Sequence, residues 1–578
     1  MLIFLRFLFG ITLILPLFIL GEGFVEWTFI THFPLMLGVI IQTITGVSIF
    51  IYIQSKEEGH PILLHIGYIL FFSGLTGSYF AEKSLYLPFC WELSTLGAFI
   101  IFASGQFLSS MTKSLISLFL ASGVSAILLT CWVILPQDHP WGNMFLLLGL
   151  LLKTGFSFLH IWYPDLHEGS PTTASASFSG IALNLPLLMF VHYFQPVYLG
   201  EIAYKILVPI AGMGIFFGGV TSFFTKDIKK VLAYSTIEKA NFLWLCLFLY
   251  KLWIQGVDKE MDFFAEIFLV LFYLTLLHHS FSKTYQFLVF GFLKDFAGTN
   301  SIDEAKGVGR ISGIPFLLLG IGTFSFALLP GTLGFISEGT YLYLISRVVD
   351  LEGSKSIVIL PAMVIFIIGL ALGSMAHLRL YLTLSLSVPS ERIIKSTENK
   401  HISRYIIMAI GYMAVILVLF PIFLSGFLAF GGFLDMDHGL NNWFITLFTV
   451  SIITIIFYVI MVLGKLSHRI EKRVLWDCGN NYRGSELSIP ASVISEPLHD
   501  SLGITTRIDD GDSTLDEWIK QKIISLLNLG KIWIGEVESG DISNYIAFSS
   551  TSLLITFVLI IFYKYYKDNS WNFLTILF

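Results

Sequence analysis

Apolar runs of about 18 or more residues recur from end to end of this 578-residue chain, each long enough to cross a hydrocarbon core of about 30 Å as a helix. Nothing else in the sequence constrains the fold so strongly. In lipid the backbone must satisfy its own hydrogen bonds, and helices of this length do so internally. Spans are drawn at 2–20, 31–53, 61–80, 85–107, 114–135, 143–162, 171–193, 203–224, 231–250, 263–292, 313–347, 357–384, 404–429, 442–464 and 546–566. That is about fifteen crossings, and the expected fold class is an all-α polytopic membrane protein. Only 13% of residues are charged and 55% are hydrophobic, with a mean hydropathy of +0.79, against about 25% charged in a soluble protein.

The first run, Leu2 to Leu20, contains Arg6 but precedes no small-residue cleavage site before Glu22, so it reads as a span rather than a removable leader. The net charge of −6 and the lack of a basic block argue against a nucleic-acid partner. Cys90, Cys131, Cys246 and Cys478 lie far apart, without a metal-binding spacing. The expectation is a chain with no cluster, haem or zinc of its own, so that any electron transfer belongs to a partner.

Basic residues alternate between loops. Lys56, Lys113, the Lys226, Lys229 and Lys230 group, Lys294, Lys306 and Arg310, and Arg392 to Arg404 fall in alternate connections. The positive-inside rule then puts those loops, the N-terminus and a polar connector at 465–545 in the cytoplasm. Lys564 and Lys567 at the far end run against that count. The connector holds WDCGNNYRG at 476–484, an acidic RIDDGDS at 507–513 and an amphipathic helix around 515–528. The stretch 313–347 is too long for a simple helix, and Pro330, Gly331 and Gly334 mark a break. A break at that depth survives only where protein or water satisfies the freed backbone.

An ionisable side chain inside a span costs several kcal/mol on insertion scales, so each needs a reason. Glu92, Lys153, His279, Lys283 and Glu338 stand out. Lys153 lies about ten residues into its span, too deep to snorkel easily, and must face a bundle interior or a hydrated cavity. Burial disfavours a charged group and an opposite charge restores it, so a lysine facing a glutamate can exchange a proton reversibly, and Glu92 is the natural partner. His279 and Lys283 are four apart and share a helical face, which suits a relay, while His278 is expected to point elsewhere. Plainer roles stand beside these: a structural ion pair for Glu92 and Lys153, an interfacial position for His160, and a helix cap for Glu338. The collection, rather than any single member, points to an ion-translocating chain.

KTGFSFLHIWYPDLHEGSPTTASA at 153–176 and FTKDIKKVLAYSTIE at 224–238 resemble the signature of the antiporter-like subunits shared by complex I, Mrp cation/proton antiporters and group 4 hydrogenases. HHSFSK at 278–283 and LPGTLGFISE at 329–338 are similar to the family's His–Lys helix and broken helix, and the resemblance covers roughly residues 60 to 390. It implies two inverted five-helix repeats, each with a broken helix, near Gly155 and between Pro330 and Gly334. It also implies proton-translocation roles: Glu92 with Lys153 in a first half-channel, His279 and Lys283 for lateral transfer, and Glu338 in a second half-channel. Arg379 stands where the family has a basic residue, and His160 matches the histidine before the WxP element. YSTIE at 234–238 and WDCG at 476–479 look most like the large membrane subunit of formate hydrogenlyase and hydrogenase-4 complexes.

The chain departs from that pattern at Asn184, where a central lysine is usual. An amide can hydrogen-bond water but does not hold a proton, so the central link would run through water or be interrupted. The implied layout is N-terminal helices at 1–60, a translocating core at 61–390, C-terminal helices at 391–464, the connector at 465–545 and a last helix with its tail at 546–578. The leading expectation is a proton-translocating subunit in a prokaryotic cytoplasmic membrane, beside small and antiporter-like membrane subunits. A peripheral redox arm would carry nickel–iron or iron–sulfur centres. Cation/proton antiport without a redox arm, and the membrane part of an inorganic-carbon uptake complex or scaffold, are the alternatives.

Overall fold

The structure is a computed structural model and describes residues 1–23, 29–55, 61–104, 109–136, 139–160, 162–194, 201–254, 259–310, 313–352, 360–396, 403–430, 445–454 and 456. The connector at 465–545, the last span at 546–566 and the WDCG motif lie outside them. Regular structure among the described residues is helical, and β pairing there is limited to an isolated antiparallel bridge between Asp227 and Ser301. Eight of the described helices are long and apolar enough to cross a membrane, and four shorter apolar helices accompany them. The protein is an all-α polytopic membrane protein.

The chain divides into two compact units, one built from Met1–Gly214 with Leu247–Gln255, the other from Ile215–Cys246 with the described part of Gly256–Gly511. The first unit holds α1 (Leu2–Gly23), α2 (Phe29–Ile53), α3 (Pro61–Phe80), α4 (Tyr86–Ala103), α5 (Ser109–Ile134) and α6 (Pro140–Thr154). It continues through α7 (Trp162–Gly169), α8 (Thr172–Ser177) and α9 (Asn184–Tyr193). Helices α3 and α4 run against each other at backbone distance: a Cβ on Gly74 would strike the Ser94 amide and the Cys90 carbonyl. Without a hydrophobic drive between helices in lipid, such close approach supplies the van der Waals contact that holds them.

Two irregularities in this unit are local consequences of sequence. Helix α6 ends at Gly155, whose φ of +65° lets its amide close on the Leu151 carbonyl, and the chain turns through Phe158 before α7 begins. Between α8 and α9 the backbone widens into a π-helical turn, Phe178–Ala182, inside one continuous apolar segment of 22 residues, Thr172–Tyr193. Such turns leave a carbonyl short of its usual donor, and the Asn184 side-chain amide donates to the Gly180 carbonyl at 3.0 Å.

The second unit takes most of α11 (Ile228–Trp253), the 39-residue α12 (Lys259–Ala297), α13 (Gly313–Phe326), α14 (Leu333–Glu352), α15 (Leu360–Tyr381), the short α16 (Glu391–Ser396) and α17 (Arg404–Phe430), with the end of α10 (Glu201–Phe224). The Asp227 carboxylate caps α11 by accepting from the Lys230 amide at 2.9 Å. Backbone bonds from Ile228 to the Asn300 carbonyl and from Ile302 to the Lys226 carbonyl latch that cap to the segment after α12. The stretch expected to be broken is broken at 327–332, with Leu328 at φ +57° and Gly331 at φ +89°. Thr332 restarts the chain as α14 by accepting from the Phe335 amide. Lys229 and Lys230, expected to be loop charges, lie in the first turn of α11 and are buried.

Candidate functional site

In the second unit, α11 carries Glu238 and Lys239 side by side, each 1% exposed. Consecutive helical positions point about 100° apart, so both face the interior only where helices surround α11 on more than one side. The Lys239 ammonium lies 3.0 Å from Glu238 Oε1 and makes a direct ion pair with Glu338 Oε1 from the second turn of α14, 99 residues along the chain. On α15, Gly373 leaves room for this arrangement, because a Cβ there would overlap the Glu238 carboxylate. Glu338 Oε2 is buried and has no hydrogen-bond partner among the described residues.

Lys283 of α12 is fully buried beside this triad and donates to the Leu232 carbonyl at 3.0 Å and to the Ser235 hydroxyl, both on α11. Phe326, the last residue of α13, sits among the cationic and imidazole groups. Its ring centroid is 4.3 Å from the Lys283 ammonium, 5.9 Å from that of Lys239 and 4.9 Å from the His278 ring, and His377 stacks on it at 4.6 Å. His377 Nδ1 is 3.1 Å from Gln286 Nε2, which also donates to the Gly322 carbonyl. Two carboxylates and two amines are thus gathered with formal charges that cancel, which lessens the cost of burial without removing it.

The first unit holds a looser pair. Glu92 is 2% exposed on α4, and Lys153 in the last turn of α6 donates to Thr95 Oγ1 at 2.7 Å and to Ser122 Oγ at 2.6 Å, with its ammonium 5.5 Å from the Trp91 ring. The two charges act on each other through space, yet the lysine's hydrogen bonds go to the hydroxyls and Glu92 Oε1 accepts none. Lys153, Trp91, Thr95, Tyr163, Phe178 and Leu183 line a cavity of about 30 Å³, room for a water molecule or two. His160 and Asn184 are buried, the former in the turn after Gly155 and the latter at the start of α9.

Of the residues singled out in the sequence, Glu338 and Lys283 are brought together, and Glu92 and Lys153 become neighbours without direct contact. His279 is fully buried on α12, but the histidine against Phe326 is His278, which corrects the expectation that His278 points away. Arg379 donates to the Ser222 and Thr225 carbonyls, so it caps the C-terminal end of α10. Lys251 binds the Phe194 carbonyl after α9 and Lys83 the Leu135 carbonyl after α5 in the same manner. Glu238, Lys239, His278 and His377 are the members of the site that sequence reasoning missed. A signal for Glu238 and Lys239 exists, since the span drawn at 231–250 has both in its middle. Among the described residues no group of three or more His, Cys, Asp or Glu is placed to hold a metal ion.

Residues 130–365 match the family described as NADH:quinone oxidoreductase/Mrp antiporter, transmembrane. The chain is similar to NAD(P)H-quinone oxidoreductase chain 4-2 of Synechocystis, 26% identical over 51% of this chain and 54% of that one. It is 30% identical to NADH-quinone oxidoreductase subunit N of Chlorobium chlorochromatii over 33% of this chain and 37% of the relative. A putative antiporter subunit, mnhA2 of Staphylococcus aureus, is 26% identical over 53% of this chain and 42% of its own length. The chain therefore spans about half, or less, of the curated relatives it matches. Among solved structures, a chain of the membrane-bound sulfane sulfur reductase, an archaeal respiratory membrane complex, superposes with a TM-score of 0.53 at 16% identity, covering 68% of this chain and 80% of that one, a likeness of fold. The segment 130–365 that matches the NADH:quinone oxidoreductase/Mrp antiporter transmembrane family contains Lys153, Glu238, Lys239, Lys283 and Glu338.

Proposed function

We propose that this protein is a proton-translocating membrane subunit of a respiratory-type oxidoreductase complex, moving protons in response to electron transfer in a partner arm. The observation that carries the reading is the charge-balanced group of Glu238, Lys239, Glu338 and Lys283, buried among apolar helices. A proton arriving at Glu338 neutralises one side of Lys239 and leaves Glu238 as its remaining partner. That redistribution of charge is felt by Lys283 across the Phe326 ring, and coupled groups of this kind titrate as a set. In the first unit, Glu92 and Lys153 form a second such group, served by the small cavity. Asn184 holds no exchangeable proton, and its amide donates to the Gly180 carbonyl. Arg379 contributes by holding α10.

The partners in this reading are other membrane subunits and a peripheral arm carrying nickel–iron or iron–sulfur centres, in the cytoplasmic membrane of a prokaryote. Kinship with a formate hydrogenlyase or hydrogenase-4 type arm rests on YSTIE and WDCG alone. The test uses inverted vesicles from cells making the complex, with a pH-sensitive dye and the electron donor of the arm. Lys283→Ala should abolish acidification while electron transfer continues; full acidification in that variant would sink the proposal. The similarity to a named antiporter subunit favours a second reading, exchange of a cation for protons. Under it, a sodium gradient alone would move protons with no donor present.

A further inference from the structure

The triad on α11 and α14 has the form of a cation site with its cation built in. Glu238 Oε1 and Glu338 Oε1 flank one ammonium, that of Lys239. All three side chains are within 2% of full burial. Glu338 Oε2 has no hydrogen-bond partner among the described residues although it is buried, so one carboxylate keeps a ligand atom beyond what Lys239 uses. Two carboxylates brought together by α11 and α14 would bind a small cation whenever the place between them lay open, since oxygen donors suit hard cations. Here the place is filled by a tethered ammonium that cannot leave.

We propose that Lys239 sets the ion selectivity of this unit: its ammonium occupies the site between Glu238 and Glu338 and excludes Na⁺, leaving the proton as the exchangeable ion. The inference rests on the translocation reading above and narrows it to protons. Lys239, Glu238 and Glu338 contribute one positive and two negative charges, and among the described residues Lys283 of α12 restores balance. Among the described residues, His278 of α12 and His377 of α15 lie against Phe326 beside the triad, with His279 next to His278. Removing the Lys239 ammonium leaves two carboxylates facing the Lys283 charge, one negative charge in excess. A mobile Na⁺ can then take the ammonium's place.

The test measures equilibrium binding, which needs no transport and so separates failure of this inference from failure of the translocation reading. The full chain is purified in mild detergent with whatever subunits accompany it, at alkaline pH, in wild-type, Lys239→Ala and Lys239→Gln forms. Radioactive sodium binding and the thermal midpoint in NaCl against choline chloride are recorded. The expected result is saturable binding approaching about one Na⁺ per chain, with a midpoint that rises with Na⁺ but not choline, in either lysine variant that folds. Wild type shows neither, and adding Glu338→Gln to the lysine variant removes both. Saturable Na⁺ binding by wild type that Glu338→Gln abolishes, or no Na⁺ response in a folded Lys239 variant, overturns the assignment.

Discussion

Lys239 and Glu338 are paired, yet they are not equivalent. Lys239 serves two carboxylates, whereas Glu338 depends on one amine and leaves Glu238 with a partner 3.0 Å away when it is gone. Taking one member from a buried pair costs about 3–5 kcal/mol when an uncompensated charge is left behind. Lys239→Met should therefore lower the unfolding free energy in detergent by about that amount, and Glu338→Gln by much less. A denaturant series on the two variants checks this, and equal losses would mean that Glu238 does not share the ammonium. The rule that buried charge needs a reason makes Glu92, Lys153, Lys283 and Glu338 legible in the sequence. It applies equally to Glu238 and Lys239, although the YSTIE motif that ends in Glu238 carries only a family likeness on its face. What no sequence rule supplies is the pairing itself, because it depends on how α11 is rotated toward a residue 99 positions away. Arg379 makes the same point from the other direction. Its charge stands out for likeness to a family position, while its hydrogen bonds go to the end of α10.

At the scale of elements, the breaks matter more than the helices. The α13–α14 break puts Phe326 at a helix end and Glu338 in the second turn of the next helix, so that both face the lysines. Gly331 makes the turn at φ +89°, where an L side chain is strained, and a Cβ there would also press on Thr454 at 2.9 Å. Gly331→Ala should cost about 1–2 kcal/mol in stability from backbone strain alone, read as a lowered thermal midpoint. Because the positions of Phe326 and Glu338 are set by this break, the same variant should also slow dye-detected proton movement; unchanged stability and rate would show that the turn relaxes freely. The break is readable from Pro330, Gly331 and Gly334, and the one at Gly155 from the family pattern. The π-helical turn before Asn184 is not, since Phe178 to Ala182 carries no proline and only one glycine, and such a turn arises from packing on both sides. Arg379 also belongs to this scale. Replacing it with Gln removes the charged donor that holds the α10 end carbonyls, so Arg379→Gln should reduce the yield of folded protein, with Arg379→Lys recovering part of it.

For the whole molecule, the question is whether the two units work as one device. Each contains its own buried acid and base: Glu92 with Lys153 in the first, and Glu238, Lys239, Glu338 and Lys283 in the second. They are held differently. Lys153 rests on two hydroxyls beside a cavity, whereas Lys239 is fixed between two carboxylates. If protons enter through both units, Lys153→Ala and Lys283→Ala should each remove part of the acidification and the double variant more. If charge must pass through both in series, either single variant should remove nearly all of it, and the double should add nothing. The asymmetry of the two groups favours the series case: the first group, held by hydroxyls, can respond to a neighbour's charge, and the second cannot release Lys239 without a proton on a carboxylate. Non-additivity between the single and double variants, measured as initial acidification rate with donor turnover held equal, is therefore the expected outcome.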